Sequence, residues 1–555
     1  FQLYLQKPYT QYDVENNVEK ASVELVGFAK TDTLAPGEDQ TLEITVDLRD
    51  FTSYDAYGAG TYILEKGDYY LTGAQDSHQA VNNIIARKGA VNAQYMDGNG
   101  NADMTYNIKI AEDDFTTYSK SETTDYPIVN QFDDVDLNLY EHTSDQKITY
   151  LSRSDWAGTY PAEAVSLTCT DKEMVADMQY GNEIASDSEA KMPTYGADNG
   201  LSLIDLMYED YDSEMWNDLL DQMTLAEQSE IILLGSRQLA GVASVNAPGA
   251  KVGDGPAGLR EVAGSFAYPG QILMACTYNT ELIAQLGEAF GMEMHYLGYA
   301  ALYGPGANIH RNAFGGRNFE YYSEDGVLSG LMLNAELKGL SKMGIITYTK
   351  HFALNDQERN RYGICVWANE QSIREIYLKA FQYSVEDEDC KTVGLMSSYN
   401  RIGTTWTGVH GGLLTEVLRN EWGFEGAVMT DEAVGGFMGS GHQEVLAAAV
   451  VAGQDIWLGD LRQLGFGSYA DNPVVAQAIR TAAKNNLYSQ LHSSAMNGMK
   501  SGMRIVEITP WWQTALLAAE ICVGIITALC VAMTVYSFIA VGRRNKEEKT
   551  DEQKN

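Results

Sequence analysis

The sequence predicts an α/β protein in which a closed (β/α)8 barrel follows a β-sandwich and precedes a transmembrane helix. Short apolar runs alternate with helical patterns from Leu201 to Leu458, and strand–helix–strand units repeated over about 300 residues are typical of a parallel barrel. Before them, residues 21–74 contain β-rich runs separated by turn residues, which indicate a β-sandwich. After them, Ile521 to Val541 is a stretch of 21 residues without a formal charge. As a helix, this stretch is long enough to cross a hydrocarbon core of about 30 Å.

Charge and cysteine spacing exclude several classes of function. The 555-residue chain has 76 acidic and 38 basic side chains, which give a formal net charge of −38. Because binding to a nucleic-acid backbone needs a basic surface, we exclude nucleic acid as a partner, whereas neutral ligands such as sugars remain compatible with this charge. The six cysteines form no CxxC pattern and the chain has no HExxH motif. We therefore predict no disulfide framework, no metal site and no cofactor.

The first 90 residues are predicted to form an N-terminally incomplete β-sandwich. Its expected strands are the runs at 22–28, 42–46, 61–64 and 69–71. The chain opens on Phe1 with neither an initiator methionine nor a signal sequence, so we expect it to begin inside a domain. Residues 91–200 are acidic and rich in Asn, Asp, Ser and Thr but keep aromatic and apolar residues. This composition predicts an extended connector that wraps a neighbouring domain.

The barrel is expected to span residues 201–508. Apolar residues at helical spacing around Trp216 predict its first helix, and the pattern from Thr224 to Glu227 resembles a capping box before the next one. Six strand-like runs are visible, so two strands of an eight-stranded barrel stay unassigned. The six runs lie near 251–252 and at 299–303, 345–349, 393–397, 427–430 and 455–458.

A membrane span is predicted at 511–541. Trp511 and Trp512 suit the outer interface of a bilayer, and three basic residues, Arg543, Arg544 and Lys546, follow the apolar stretch. Because positive charges favour the cytoplasmic side, we predict a single-pass cell-membrane protein. Its tail at 542–555 would be cytoplasmic, and the larger part before Trp511 would be extracellular.

Polar side chains follow the predicted strands, at the end of a barrel where enzymes of this fold keep their chemistry. Asp431 directly follows the run that ends at Thr430, and the other loops carry cations, carboxylates and hydrogen-bonding groups. Together they would form a polar cup suited to the hydroxyls of a sugar ring. These loops are Asp254 to Gly258, Gly304 to Glu320, Lys350 to Phe352 and Met396 to Asn400.

Three of these residues also have purely structural interpretations. Asp431 would cap a helix that begins near Ala433. Arg317 would pair with Glu320 or Asp325. His351 would be a core histidine with satisfied hydrogen bonds.

Four long motifs resemble those of glycoside hydrolase family 3, the β-glucosidase type. They are GPGANIHRNAFGGRNFEYYSEDG from Gly304, KHFALNDQERNR from Lys350, MSSYN from Met396 and GFEGAVMTD from Gly423. The resemblance implies a retaining glycosidase for β-glucosides or related β-linked saccharides, with Asp431 as the catalytic nucleophile. It also implies that six residues bind the sugar in the innermost subsite: Asp254, Arg317, Lys350, His351, Met396 and Tyr399. Residues 1–89 resemble the fibronectin type III-like domain of the family.

The domain order resembles the circularly permuted members of the family, in which an α/β sandwich domain comes first. That domain supplies the general acid/base Glu in β-glucosidase-type members, so we expect the acid/base to come from a domain outside this sequence. Glu432 departs from the family pattern because many members carry Trp after the nucleophile. A membrane-tethered sugar-binding protein without efficient catalysis, and a phosphorylase that uses the same intermediate, stay open as alternatives.

Overall fold

The computed structural model describes residues 1–90, 96–141, 147–161, 172–178, 184, 187–390, 392–433, 442–506 and 509–553. Backbone contacts divide the chain into two compact units, Phe1–Met503 and Arg504–Asn555. The first unit contains an N-terminal sheet domain, a connector and a barrel, and the second contains one long helix.

The N-terminal domain is built on an antiparallel sheet. Its elements are β1 (Gln2–Gln6), α1 (Gln11–Asn16), β2 (Glu24–Phe28), β3 (Ser53–Asp55), β4 (Thr61–Ile63), β5 (Gly67–Ala74), α2 (Ser77–Arg87) and β6 (Thr105–Ile110). The four main strands lie in the order β2-β1-β5-β6, and β3 pairs with β4 as a separate hairpin. Leu5 and Tyr69 are buried in a small core with Phe51, as expected where one face of a sheet is covered.

Two parts of this domain differ from the expectation. The run at 42–46 forms no strand. Two of its apolar residues still pack inward, because Val46 contacts the core and Ile44 lies against Gly27. Conversely, β6 falls inside the predicted connector and pairs with β5 from Gly67↔Ile110 to Thr72↔Thr105. The sheet therefore continues past residue 90, while the domain boundaries themselves stay predictions.

The connector lies against the barrel through a buried charged group. Arg374 donates from Nε to Glu370 (2.7 Å) and from its two terminal nitrogens to Glu421 (2.7 and 3.1 Å). The same guanidinium donates to the Val129 carbonyl at 2.9 Å, and Glu370 accepts the N–H of Phe132 at 2.7 Å. Buried charges are tolerated only when they are paired in this way. The connector also carries two short helices, α3 (Trp156–Thr159) and α4 (Lys172–Asp177).

Short strands form the barrel wall. The strands of this region are β7 (Gln238–Leu239), β8 (Ala250–Asp254), β9 (Ala301–Tyr303), β10 (Ile346–Thr347), β11 (Thr349–Phe352), β12 (Cys365–Val366), β13 (Gly394–Ser397), β14 (Arg401–Ile402), β15 (Thr405–Trp406) and β16 (Ala427–Met429). β8, β9 and β10 pair in parallel, as do β11, β13 and β16. Ile456 bridges Met429, and the Trp457 N–H donates to the Ile232 carbonyl at 2.8 Å, which closes the ring. β12, β14 and β15 form a small separate sheet.

Five of the six predicted barrel runs contain strands, whereas 455–458 contributes one parallel bridge through Ile456. The start of the barrel departs from strict strand–helix alternation, because β7 is antiparallel to β8. Two glycines permit this hairpin: a Cβ on Gly241 would lie 2.8 Å from the backbone nitrogen of Gly249.

The α- and π-helices between Leu201 and Met503 surround the barrel wall. They are α5 (Met215–Gln222), α6 (Leu225–Leu233), α7 (Gln271–Ala275), α8 (Thr280–Tyr296), α9 (Gly326–Lys342), α10 (Glu370–Ser372), the π-helix Ile373–Tyr377, α11 (Lys379–Glu386), the π-helix Gly412–Glu421, α12 (Gln443–Ala452) and α13 (Pro473–Leu491). The capping box predicted from Thr224 to Glu227 is confirmed at the start of α6. α8 and α9 approach closely at Gly287 and Gly339, where a Cβ would lie within 2.3 Å of the facing helix.

The second unit contains α14 (Trp511–Glu552). It is the one helix in the described part of the chain that is long and apolar enough to cross a membrane.

Candidate active site

A cavity of about 530 Å³ opens at the C-terminal ends of the barrel strands. C-terminal strand ends share one rim of a parallel barrel, so side chains far apart in sequence meet there. All seven predicted site residues line this cavity: Asp254, Arg317, Lys350, His351, Met396, Tyr399 and Asp431. A second cavity, of about 590 Å³, lies at the opposite strand ends near Lys251 and Ala300 and contains none of the seven.

Asp431 follows β16 after one intervening residue, Thr430, and is 9% exposed. Its Oδ1 accepts the N–H of Glu432 at 2.7 Å, whereas Oδ2 is buried and has no hydrogen-bond partner among the described residues. The flanking backbone is held by the 456–458 segment, because the Thr430 N–H donates to Ile456 and the Leu458 N–H to Thr430 Oγ1. One carboxylate oxygen is thus anchored by the backbone, whereas the other accepts no hydrogen bond from the described residues.

The surroundings of Asp431 act on its ionisation in opposite directions. Burial raises the pKa of Asp431 above its usual value, and the Glu432 N–H together with the Lys350 and Arg317 charges partly reverses the effect. Because burial outweighs these charges, the Asp431 carboxylate is a stronger base than an exposed aspartate. The predicted helix near Ala433 falls mostly on residues 434–441, which lie outside the described residues.

His351 is held on three sides. Its N–H donates to Asn308 Oδ1 at 2.8 Å, and its carbonyl accepts from Asn308 Nδ2 at 2.9 Å. On the ring, Nδ1 is 3.0 Å from the Tyr321 hydroxyl and Nε2 is 3.5 Å from Asp431 Oδ2. Its side chain is 2% exposed, as the core-histidine interpretation expects, yet it also lines the cavity.

Burial keeps the imidazole neutral. It lowers the pKa of His351 well below the usual value, and the Arg317 and Lys350 charges lower it further. Burial also raises the pKa of Tyr321 well above the usual value, so its hydroxyl keeps its proton and can serve as the donor to Nδ1 at 3.0 Å. With Tyr321 as that donor, the proton of the neutral imidazole resides on Nε2, the ring nitrogen that lies 3.5 Å from Asp431 Oδ2.

Cations and carboxylates alternate around the cavity wall. Lys350 Nζ is 3.8 Å from Asp254 and 3.6 Å from Glu320. Arg317 Nε also contacts Glu320. Arg317 therefore makes the ion pair expected from the sequence and also lines the cavity. Burial raises the pKa of Glu320, but Lys350 and Arg317 outweigh it and the pKa is lowered. These pairs fix the positions of the polar groups that face the cavity.

Met396 and Tyr399 reach the cavity from the end of β13. The Tyr399 hydroxyl donates to the Glu432 carbonyl at 3.0 Å. Its ring packs edge-on against Tyr362 with centroids 4.8 Å apart, and the Arg361 guanidinium lies 5.0 Å from the Tyr399 centroid. Aromatic and sulfur groups thus complete one wall of a largely polar cavity.

Several lining residues were not assigned from the sequence. Glu358 and Arg361 belong to the motif that begins at Lys350 and pair at 3.1 Å. Their position in that motif could have indicated that they line the cavity. Arg237 lies outside every motif, and only the barrel closure brings it to 3.8 Å from Asp254. Within the described residues, no group of three or more His, Cys, Asp or Glu side chains could hold a metal ion.

Comparisons with known proteins agree with this architecture. Residues 228–485 match the Glycosyl hydrolase family 3 N terminal domain, and residues 1–77 match the Fibronectin type III-like domain. A β-glucosidase of Ruminococcus albus is 30% identical over 78% of this chain and 41% of its own length. β-Glucosidase A of Butyrivibrio fibrisolvens is 32% identical over 82% of this chain and 51% of its own length.

A solved structure shows the same fold. The β-glucosidase of Paenibacillus barengoltzii superimposes with a TM-score of 0.64 and 23% identity, covering 89% of this chain and 52% of that one. The chain spans about half the length of the curated relatives that it matches. The family matches, the relatives and the barrel with its C-terminal cavity lead to one conclusion: this chain belongs to glycoside hydrolase family 3.

Proposed function

We propose that this chain is a retaining glycoside hydrolase that acts on β-glucosides or related β-linked oligosaccharides through a covalent glycosyl–Asp431 intermediate. The observation that carries the proposal is the state of Asp431, a buried carboxylate with one anchored and one free oxygen, facing a cavity lined by polar groups. The β-glucosidases of Ruminococcus albus and Butyrivibrio fibrisolvens support the substrate class.

The other cavity residues would bind the sugar in the innermost subsite. Asp254 and Lys350 supply an acceptor and a donor for ring hydroxyls, and the Arg317 guanidinium supplies further donors. His351 would act as a neutral donor from Nε2, and Met396 and Tyr399 would contact the apolar face of the ring. Because the charged groups are already paired with one another, little side-chain freedom is lost when the sugar binds.

The reaction follows the retaining double displacement. Asp431 Oδ2 attacks the anomeric carbon, the bond to the leaving oxygen breaks, and that oxygen takes a proton from a general acid. Water then attacks the anomeric carbon, the ester bond to Asp431 breaks, and the same group, now a base, takes the proton of the water. The second step restores the carboxylate, and because each displacement inverts the anomeric carbon, the two steps together retain its configuration.

Glu320, which lines the cavity, is not suited to be the general acid. It contacts Arg317 and Lys350, whose charges lower its pKa and favour the ionised form that cannot donate a proton. From the resemblance to the β-glucosidase-type members of the family, we assign the acid/base to a Glu of a domain outside this sequence.

Covalent trapping tests the proposal. A 2-deoxy-2-fluoro-β-glucoside with a dinitrophenolate leaving group should label Asp431 in the wild type. Asp431→Asn should abolish the label while the far-UV spectrum stays unchanged, because the substitution removes the attacking charge and keeps the shape. Asp103→Asn, which changes an exposed aspartate far from the cavity, is the matched control. A label on any other residue would contradict the assignment.

We also propose that α14 anchors the protein in a cell membrane as a single span. The length and apolar composition of the helix support this, and Arg543, Arg544 and Lys546 support a cytoplasmic C-terminus. The catalytic part would then lie on the extracellular side.

A further inference from the structure

Glu432 occupies a fixed place beside the nucleophile. Its N–H donates to Asp431 Oδ1 at 2.7 Å, and its carbonyl accepts the Tyr399 hydroxyl at 3.0 Å. The residue lines the cavity, and its side chain is exposed. Its backbone is therefore anchored on both sides, and the carboxylate extends from a defined point on the cavity wall.

Burial separates the deep end of the cavity from its mouth. The side chains of His351 and Lys350 are 2% and 7% exposed, whereas Phe319 is 62% exposed. A sugar ring placed on the buried polar groups next to Asp431 directs its leaving group toward the exposed side chains. We call that exposed part, lined by Glu432, Phe319, Arg237 and Arg260, the cavity mouth.

The cations at the mouth are already matched by carboxylates. Arg237 lies 3.8 Å from Asp254, Arg260 lies 3.5 Å from Glu261, and Arg361, farther in, lies 3.1 Å from Glu358. Glu432 has no ion pair with any residue in the described part of the chain, so it adds an uncompensated negative charge. Charges in a concave site act on a ligand more strongly than charges on an open surface.

We propose that Glu432 determines the charge specificity of the leaving-group subsite, favouring β-glucosides whose aglycone carries a cation, such as a protonated amine, and rejecting those that carry an anion. The inference rests on the proposed function, because it takes the innermost subsite to hold the sugar. The exposed Phe319 ring offers an apolar surface in the same cavity mouth, which suits an aglycone that combines an aromatic or aliphatic body with a positive group.

Binding of non-hydrolysable thioglycosides tests this without requiring turnover. Three S-phenyl β-thioglucosides with aminomethyl, methyl or carboxylate groups at the para position would be titrated calorimetrically into the full chain. We expect the cationic compound to bind about tenfold more tightly than the anionic one at low ionic strength. Salt should reduce this ratio.

Glu432→Gln should bring the ratio close to one and leave the neutral compound within twofold of its wild-type affinity. Glu281→Gln, which removes one exposed negative charge on α8, should keep the wild-type ratio. Equal binding of the three compounds by the wild type, or an unchanged ratio in Glu432→Gln, would overturn this inference alone. Failure of all three to bind would overturn the proposed function together with it.

Discussion

Tyr321→Phe tests how the neutral His351 supports the nucleophile. The substitution removes the hydroxyl 3.0 Å from His351 Nδ1 and keeps the ring that packs edge-on against the imidazole. Nδ1 then becomes a buried acceptor without a donor, which costs about 1–3 kcal/mol. The imidazole can avoid this cost by carrying its proton on Nδ1 instead of Nε2. The lone pair of Nε2 then faces Asp431 Oδ2, which lies 3.5 Å away. Because about 1.4 kcal/mol corresponds to tenfold, we expect covalent labelling of Asp431 to slow about 5- to 150-fold.

The assay is the pseudo-first-order rate of labelling by the fluoroglucoside, followed by intact-protein mass. Tyr348→Phe is the matched control, because the Tyr348 hydroxyl is also buried but has no hydrogen-bond partner among the described residues. Its removal should leave the rate unchanged. A labelling rate in Tyr321→Phe within twofold of the wild type, with the fold intact, would refute the role given to the Tyr321–His351 hydrogen bond.

Three further predictions concern ionisation, anchoring and the leaving group. Burial raises the pKa of Asp431 above the ordinary 3.8, and only the ionised carboxylate attacks. The labelling rate should therefore fall as the pH decreases through that raised pKa. A pH–rate profile with no acid limb above pH 4 would contradict this. Deleting Thr514 onward should release a soluble protein, and continued sedimentation with membranes would count against the anchor. This chain alone should cleave nitrophenyl β-glucosides far better than cellobiose, since a nitrophenolate leaves without the proton transfer that contributes about 10²- to 10⁴-fold. Azide should accelerate turnover of the intermediate, and efficient cellobiose hydrolysis would show that a residue of this chain serves as the acid.

Much of the barrel could be predicted because its strands are short, apolar and followed by polar residues. The run that leads to Asp431 shows this pattern in nine residues, and the structure brings all seven predicted residues to one cavity. Sequence patterns report which side chains are buried, but they do not report which strand pairs with which. The run at 42–46 therefore has the alternation of a strand without a partner, and β6 was missed because its polar residues resemble the surrounding connector.

Contacts made only by tertiary closure were out of reach. Arg237 approaches Asp254 because β7 turns back against β8, and this reversal depends on the close approach of Gly241 and Gly249. No spacing rule connects Arg237 to the cavity. The free oxygen of Asp431 and the neutral state of His351 likewise follow from burial, which a motif does not encode.

The buried Arg374 group has a consequence for how this protein can be divided in the laboratory. Its guanidinium donates to a connector carbonyl, and Glu370 accepts a connector N–H next to Phe132, which is fully buried. An expression fragment that starts at Leu201 would expose the apolar surface that Phe132 covers. The Arg374 and Glu370 groups that bind the connector would then face water. Truncated genes and domain swaps should therefore keep the barrel and residues 129–132 in the same piece.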